Sequence, residues 1–258
     1  MLIIYSLCNA LPFPLWTREA VSRLIQQRWG LTLSPTTVGR YLRRWGLSPQ
    51  KPAKRAREQC PVQLQQWFHE QYPQIRQRAR QEGAQIHWGD EMGLRSDHQT
   101  GTCWSSVGET PVVEVTGQRF SCNLISTLTN WGTLRFQVFS ENFTTEVFMK
   151  FLRTVRSTNS KVFFIVDRHP VHCSQRVQEW VKQHQEQLEL FYLPPYGPER
   201  NPTEFLNQDV QTHGVSKQRP HDTNELMSVV RSYLHHLQKC PQQISRYFWA
   251  PPVQYAGL

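Results

Sequence analysis

Residues 162–166 read V-F-F-I-V, and the run stops at Asp167. A stretch this short and apolar at every position is a strand with no solvent-facing side, so it needs cover above and below. The flanking chain offers that cover. Q-I-H-W-G-D at 85–90 alternates, placing Ile86, Trp88 and Asp90 in one phase. Strand-like runs at 112–116, 121–128 and 133–139, separated by turn residues such as Asn130-Trp131-Gly132, read as an antiparallel meander. Thr144 caps a predicted helix carrying Val147, Phe148, Phe151, Leu152 and Val155, and a helix at 174–187 and a strand at 189–193 follow. The order β-β-β-β-α-β-α-β-α is that of an α/β chain, a mixed sheet flanked by helices.

In open α/β sheets, sites lie at the carboxyl ends of strands. Asp90 and Asp167 both stand at such ends, and Glu204 opens the helix expected after a proline-stiffened loop. Carboxylates brought together repel unless a cation sits between them, and two divalent ions held by three carboxylates serve in-line phosphodiester displacement. Each Asp alone is also what a turn cap requires, so spacing leaves both readings open. Glu91, an alternative first carboxylate, is expected to face away from Asp90 across the strand. Trp88 and Trp104 are expected in the core.

Charge divides the chain. Residues 15–58 hold ten Lys and Arg against two Glu, so this stretch carries +8 of the net +9, and an anionic partner, most simply nucleic acid, is expected. Thr17 caps a predicted helix with Ala20, Val21, Leu24 and Ile25 on one face, ending at Gly30. Ser34-Pro35 opens another with Val38, Tyr41, Leu42 and Trp45 as its apolar stripe, closed by Gly46. The pair reads as a helix-turn-helix whose second helix enters the major groove. It would present Thr36, Thr37, Arg40, Arg43 and Arg44 to DNA, with Lys51, Lys54, Arg55 and Arg57 of the basic linker on phosphates. A solvated helical hairpin is the plainer alternative. A helix over 61–82 follows, with Pro73 expected to kink or restart it.

The six cysteines form no C-x-x-C pair, which argues against a zinc site, and reduced thiols in a cytoplasm are the default expectation. Met1–Leu15 is apolar, but it lacks a basic start and holds Pro12 and Pro14, so a signal peptide is not favoured. No run approaches the ~18 apolar residues of a membrane helix.

The segments W-G-D-E at 88–91, F-F-I-V-D-R-H-P-V-H at 163–172 and L-P-P-Y-G-P-E-R-N-P-T-E at 193–204 resemble the DDE transposases of bacterial insertion sequences, relatives of the mariner group. The resemblance runs over roughly residues 15–248. It implies an RNase H-like core behind a helix-turn-helix module. Asp90, Asp167 and Glu204 become the catalytic, metal-binding triad for two Mg²⁺ or Mn²⁺ ions, with His172 as a packing and positioning residue. The 36 residues between Asp167 and Glu204 fall within the family's usual range. The implied partners are double-stranded DNA, as element terminal repeats and as target, and a second copy of the chain on that DNA. No membrane is implied, and the implied location is the bacterial cytoplasm, at the nucleoid. Arg168 stands where the family often has Asn, and Arg200 where it often has Leu.

The expected organisation is an atypical segment at 1–14, the helix-turn-helix at 15–47, a basic linker and helix at 48–82, the catalytic domain at 83–214 and a helical segment at 215–258. The family usually carries two helix-turn-helix units where this chain has room for one. A truncated, inactive DNA-binding remnant is therefore the alternative function.

Overall fold

A computed structural model describes residues 16–50, 60–97, 118–156, 160–195, 197–215 and 220–257. The chain divides into two compact units, Met1–Arg55 and Ala56–Leu258.

The first unit is a helical pair. Helix α1 (Arg18–Trp29) is capped by Thr17, whose Oγ1 accepts from the Ala20 N–H at 3.2 Å, and ends at Gly30 in the left-handed conformation. Helix α2 (Pro35–Arg44) is capped by Ser34, whose Oγ accepts from the Thr37 N–H. Ser22 fastens the intervening turn by donating to the Leu33 carbonyl at 2.6 Å. The expected apolar stripe of α2 needs correction. Val38 and Gly39 are buried, but Tyr41 is exposed and Trp45 is 68% exposed. Two short helices give each other a single partner, so only residues at the crossing, such as Ala20, Val38 and Gly39, are covered.

The second unit is built on a sheet of order β3-β2-β1-β4-β5. Its strands are β1 (Gln85–Arg95), β2 (Ser121–Leu128), β3 (Leu134–Phe139), β4 (Val162–Val166) and β5 (Leu188–Tyr192). The meander β1-β2-β3 is antiparallel, and β4 and β5 add parallel to β1. This is the RNase H-like arrangement. The run at 112–116 lies outside the described residues, as do Trp104 and the linker residues Lys51, Lys54, Arg55 and Arg57. Every residue of β4 is buried, as an all-apolar strand requires.

Helices α5 (Thr145–Arg156) and α6 (Gln175–Gln183) cover one face, packing Phe148, Phe151, Val155 and Val177 against Ile125, Phe164 and Val166. The other face is covered by a π-turn at Trp67–Gln71, which continues from α3 (Pro61–Gln66), and by α4 (Tyr72–Glu82), α7 (Thr203–Asp209), α8 (Thr223–Gln238) and α9 (Pro241–Tyr247). Trp67, Tyr72, Ile75, Leu226 and Leu234 share one core with Trp88, Phe163 and Ile165. The helices flanking the sheet in sequence, at 61–82 and beyond 215, are therefore part of its body. The disturbance expected at Pro73, a kink or a restart, takes the form of the π-turn, after which α4 begins with Pro73 in its first turn. Proline lacks an N–H and its ring crowds the preceding turn, and one wider turn just before it relieves both. Among the described residues no helix is long and apolar enough to cross a membrane.

Candidate active site

The parallel register between β1 and β4 ends at Trp88 opposite Ile165. Two residues beyond that pair stand Asp90, still in β1, and Asp167, just past the end of β4, so the pairing itself sets both carboxylates at one end of the sheet. β1 continues there on β2 alone, with Asp90 opposite Ser126. Close strand packing requires Gly89, because a Cβ there would lie 2.3 Å from the Phe164 ring.

Glu204 is brought to the same end by a turn fastened to the β1 main chain. Asn201 Nδ2 donates to the Gly89 carbonyl at 2.9 Å, and Thr203 Oγ1 donates to the Trp88 carbonyl at 3.1 Å. Asn201 also accepts from the Thr203 N–H through Oδ1 and from the Glu204 N–H through its carbonyl. Both side chains are buried, so these bonds are made away from competing water. Glu204 then falls in the first turn of α7. At the other end of α7, Asp209 accepts from Tyr233 and Gln243, and from the Tyr247 hydroxyl, tying the helix to α8 and α9.

Four carboxylates result within range of one another. Burial pushes the Asp90 carboxyl well above the ordinary range, and the charges of Glu204, Glu91 and Asp167 push it further. Burial and then Asp167 raise Glu204, against a hydrogen bond from Asn207. Asn207 Nδ2 donates to Asp90 Oδ2 at 2.9 Å, so the same residue acts on both carboxylates. Burial acts upward on Asp167 too, but the hydrogen bond and charge of His172 and the His169 N–H outweigh it and hold this carboxyl low.

His172 is 1% exposed, wedged against Phe148 with ring centroids 4.4 Å apart. Its Nδ1 lies 2.8 Å from Asp167 Oδ1, and its Nε2 lies 3.4 Å from Glu91 Oε2 without forming a hydrogen bond. Ligand atoms of Glu91, Asp167 and His172 all fall within 4.8 Å of one another. Strand alternation operates as expected, Asp90 facing Asn207 and Glu91 facing His172, yet Glu91 still acts on Asp90 and Glu204. Burial raises its carboxyl, His172 opposes this and Asp167 adds to it.

Hard divalent cations take oxygen ligands and neutralise such groups. Clustered carboxylates, with Glu91 Oε2 and Asn207 Oδ1 buried and unpartnered beside them, fit a cation of this kind. Sequence reasoning missed Asn201, Thr203 and Asn207. For Asn207 a signal was available, since it stands three residues after Glu204 and so on the same helix face.

On α2, Thr36, Arg40, Arg43 and Arg44 are exposed, whereas the Thr37 hydroxyl lies 3.0 Å from Ser34 Oγ within the cap.

Residues 85–227, more than half the chain, match the family described as DDE superfamily endonuclease, and residues 12–71 match the winged helix-turn helix family. No curated protein matches. Among solved structures, the Mos1 Strand Transfer Complex is similar over 100% of this chain and 78% of its own, at 14% identity and a TM-score of 0.64. The Mos1 mariner paired end complex with Mn is similar over 99% and 78%, at 12% identity and a TM-score of 0.63. The corresponding complex with Mg gives 98% and 86%, at 12% identity and a TM-score of 0.62. At such identities the likeness is one of fold, and it extends over both units. With the match across 85–227 spanning both strand-end aspartates and the Glu204 turn, the chain belongs to the DDE superfamily of endonucleases.

Proposed function

We propose that the protein is a DNA transposase, cutting the ends of its element and joining them to target DNA. The observation that supports this best is the gathering of Asp90, Glu91, Asp167 and Glu204 at one end of the sheet, where the charges acting most on Asp90 are all negative. Asp90, Asp167 and Glu204 would hold two Mg²⁺ or Mn²⁺ ions through their carboxylate oxygens. Such ions lower the pKa of an attacking oxygen and stabilise a leaving one.

The chain's own groups have separable tasks. His172 orients Asp167 and keeps its carboxylate ionised. Asn207 sets the spacing of Asp90 and Glu204. The Asn201–Thr203 turn fixes where the third carboxylate begins. First, water attacks a phosphodiester at the element end and releases a 3′-hydroxyl. That hydroxyl then attacks a target phosphodiester, and each step exchanges one P–O bond for another without a covalent protein intermediate. The exposed cations of α2, with Lys51, Lys54, Arg55 and Arg57, would grip the terminal repeats. Two ends must be joined, so a homodimer on DNA goes with this reading, as does a place at the nucleoid in a bacterial cytoplasm.

The test is a nicking and strand-transfer assay on the full chain with Mg²⁺ or Mn²⁺ and DNA carrying the element's ends. Cleavage that depends on the ion and is lost in Asp167→Asn is expected. Tight DNA binding with no cleavage under either ion would overturn catalysis and leave the DNA-binding remnant.

A further inference from the structure

Helix α4 carries three arginines in two environments. Arg78 is fully engaged, donating to Glu189 at 2.8 and 3.0 Å and to Glu82 at 3.0 and 3.1 Å, with Lys161 completing the network. The cleft lined by those residues is thus internally neutralised. Arg76 and Arg80, one turn apart on another side of the helix, make no ion pair among the described residues. They line a separate groove of about 530 Å³ with Phe68, Tyr72 and Tyr255, and among the described residues no acidic one lines it.

The floor of this groove is held by ring packing and hydrogen bonds. Tyr255 packs edge-on against Phe68 at 4.8 Å and Tyr72 at 5.0 Å, accepts from Trp67 Nε1 and donates to the Arg200 carbonyl at 2.9 Å. Arg200 in turn lies over the Phe68 ring at 5.3 Å. Behind the floor, Trp88 of β1 contacts Tyr72 and Tyr255, two residues before Asp90. Burial pushes the Tyr72 phenol up to about 12, and the charges of Arg76 and Arg80, which line the same groove, act on it in the opposite sense.

Cations one helical turn apart, without an ion pair among the described residues and beside packed aromatic rings, complement a strand that alternates phosphate with less polar sugar. We propose that this groove is a second DNA contact, on the unit that carries the carboxylates, taking two backbone phosphates of one strand on Arg76 and Arg80. The assignment rests on the transposase reading and adds to it a place on the catalytic unit itself. The engaged Arg78 nearby marks the difference between a cation that holds the fold and a cation left for a ligand.

The experiment measures binding of the full chain to a mixed-sequence DNA duplex across a salt series. R76Q/R80Q is expected to make the dependence of log K on log salt shallower by about 1.8, from about 0.9 per phosphate, with Tm unchanged. K150Q/R153Q removes two exposed cations from α5, on the opposite face of the sheet, and is expected to leave the slope as it is. R78Q is expected to lower Tm and leave the slope. An unchanged slope in R76Q/R80Q, or an equal change in both double variants, would overturn the groove while leaving the transposase reading standing. Wild-type protein with no affinity for DNA would overturn that reading and the groove with it.

Discussion

The helical pair at 16–50 and the sheet unit treat like charges in opposite ways. On α2, Arg40, Arg43 and Arg44 point into water, where repulsion between them is screened and their cost to the fold is small. At the end of β1 and β4, carboxylates of one sign are crowded and partly buried, where repulsion is strong. Exposed like charge is available to any polyanion and gives affinity. Buried like charge gives little affinity for DNA, but it makes a place where a small cation binds against protein-held oxygens. On the proposed reading, the exposed charge of the helical pair serves DNA binding and the crowded carboxylates serve the chemistry, with the groove beside α4 as the one further DNA contact on the sheet unit.

The largest effect that could break this division is at Asp167. Asp167→Asn is expected to lower cleavage by at least about 10²–10³-fold, the scale for losing one electrostatic contact to developing charge. Affinity for DNA, read by fluorescence anisotropy, should stay unchanged, and a parallel loss of affinity would dissolve the distinction. Next comes the helical pair. Replacing Arg40, Arg43 and Arg44 together by Gln should make the salt dependence of binding shallower by up to about 3, near one per phosphate contact. Cleavage at saturating DNA should persist.

A finer question is whether the helical pair reads sequence. Arg40→Ala should cost about 1–3 kcal/mol of discrimination between the terminal repeat and a scrambled duplex, whereas Lys51→Ala should weaken both alike. Equal weakening in both variants would show that α2 tracks phosphates only.

The smallest expected effect is in stability. A carboxyl whose folded pKa lies above its unfolded value binds its proton more tightly when folded. Its contribution is therefore present at low pH and is lost as pH rises through the folded pKa. Burial and three acidic neighbours raise Asp90 in this way. With divalent ions chelated at neutral pH, Asp90→Asn should gain on the order of 1 kcal/mol, about 2–4 °C in Tm by calorimetry. Added Mg²⁺ should raise the wild-type Tm more than that of the variant. A variant less stable than wild type in chelator would show that Asp90 is not under repulsion.

What could be read from the chain alone follows from how far each signal reaches. Strand and helix periods are local, so β4, α5 and the helical pair were legible, and the three motifs marked the strand-end carboxylates. The π-turn before Pro73 was half legible, since proline announces a disturbance but not its form. Tyr41 and Trp45 were misplaced because helical spacing shows which residues share a face and not whether a partner covers it. The groove beside α4 was invisible for a related reason. Its floor joins Trp67 to Tyr255, 188 positions apart, and no periodicity spans that separation.

The turn that delivers Glu204 is bonded to the carbonyls of Trp88 and Gly89, groups that every amino acid possesses. Its hold on β1 therefore does not depend on which side chains β1 carries. Substitutions along that strand can accumulate without moving the third carboxylate, provided the strand keeps its path. The exception is Gly89, where any side chain meets the Phe164 ring. Mutational scanning of β1 should find Gly89 intolerant for reasons of space, whereas at Trp88 any cost should come from lost packing of the indole and not from the bond that Thr203 makes to its carbonyl.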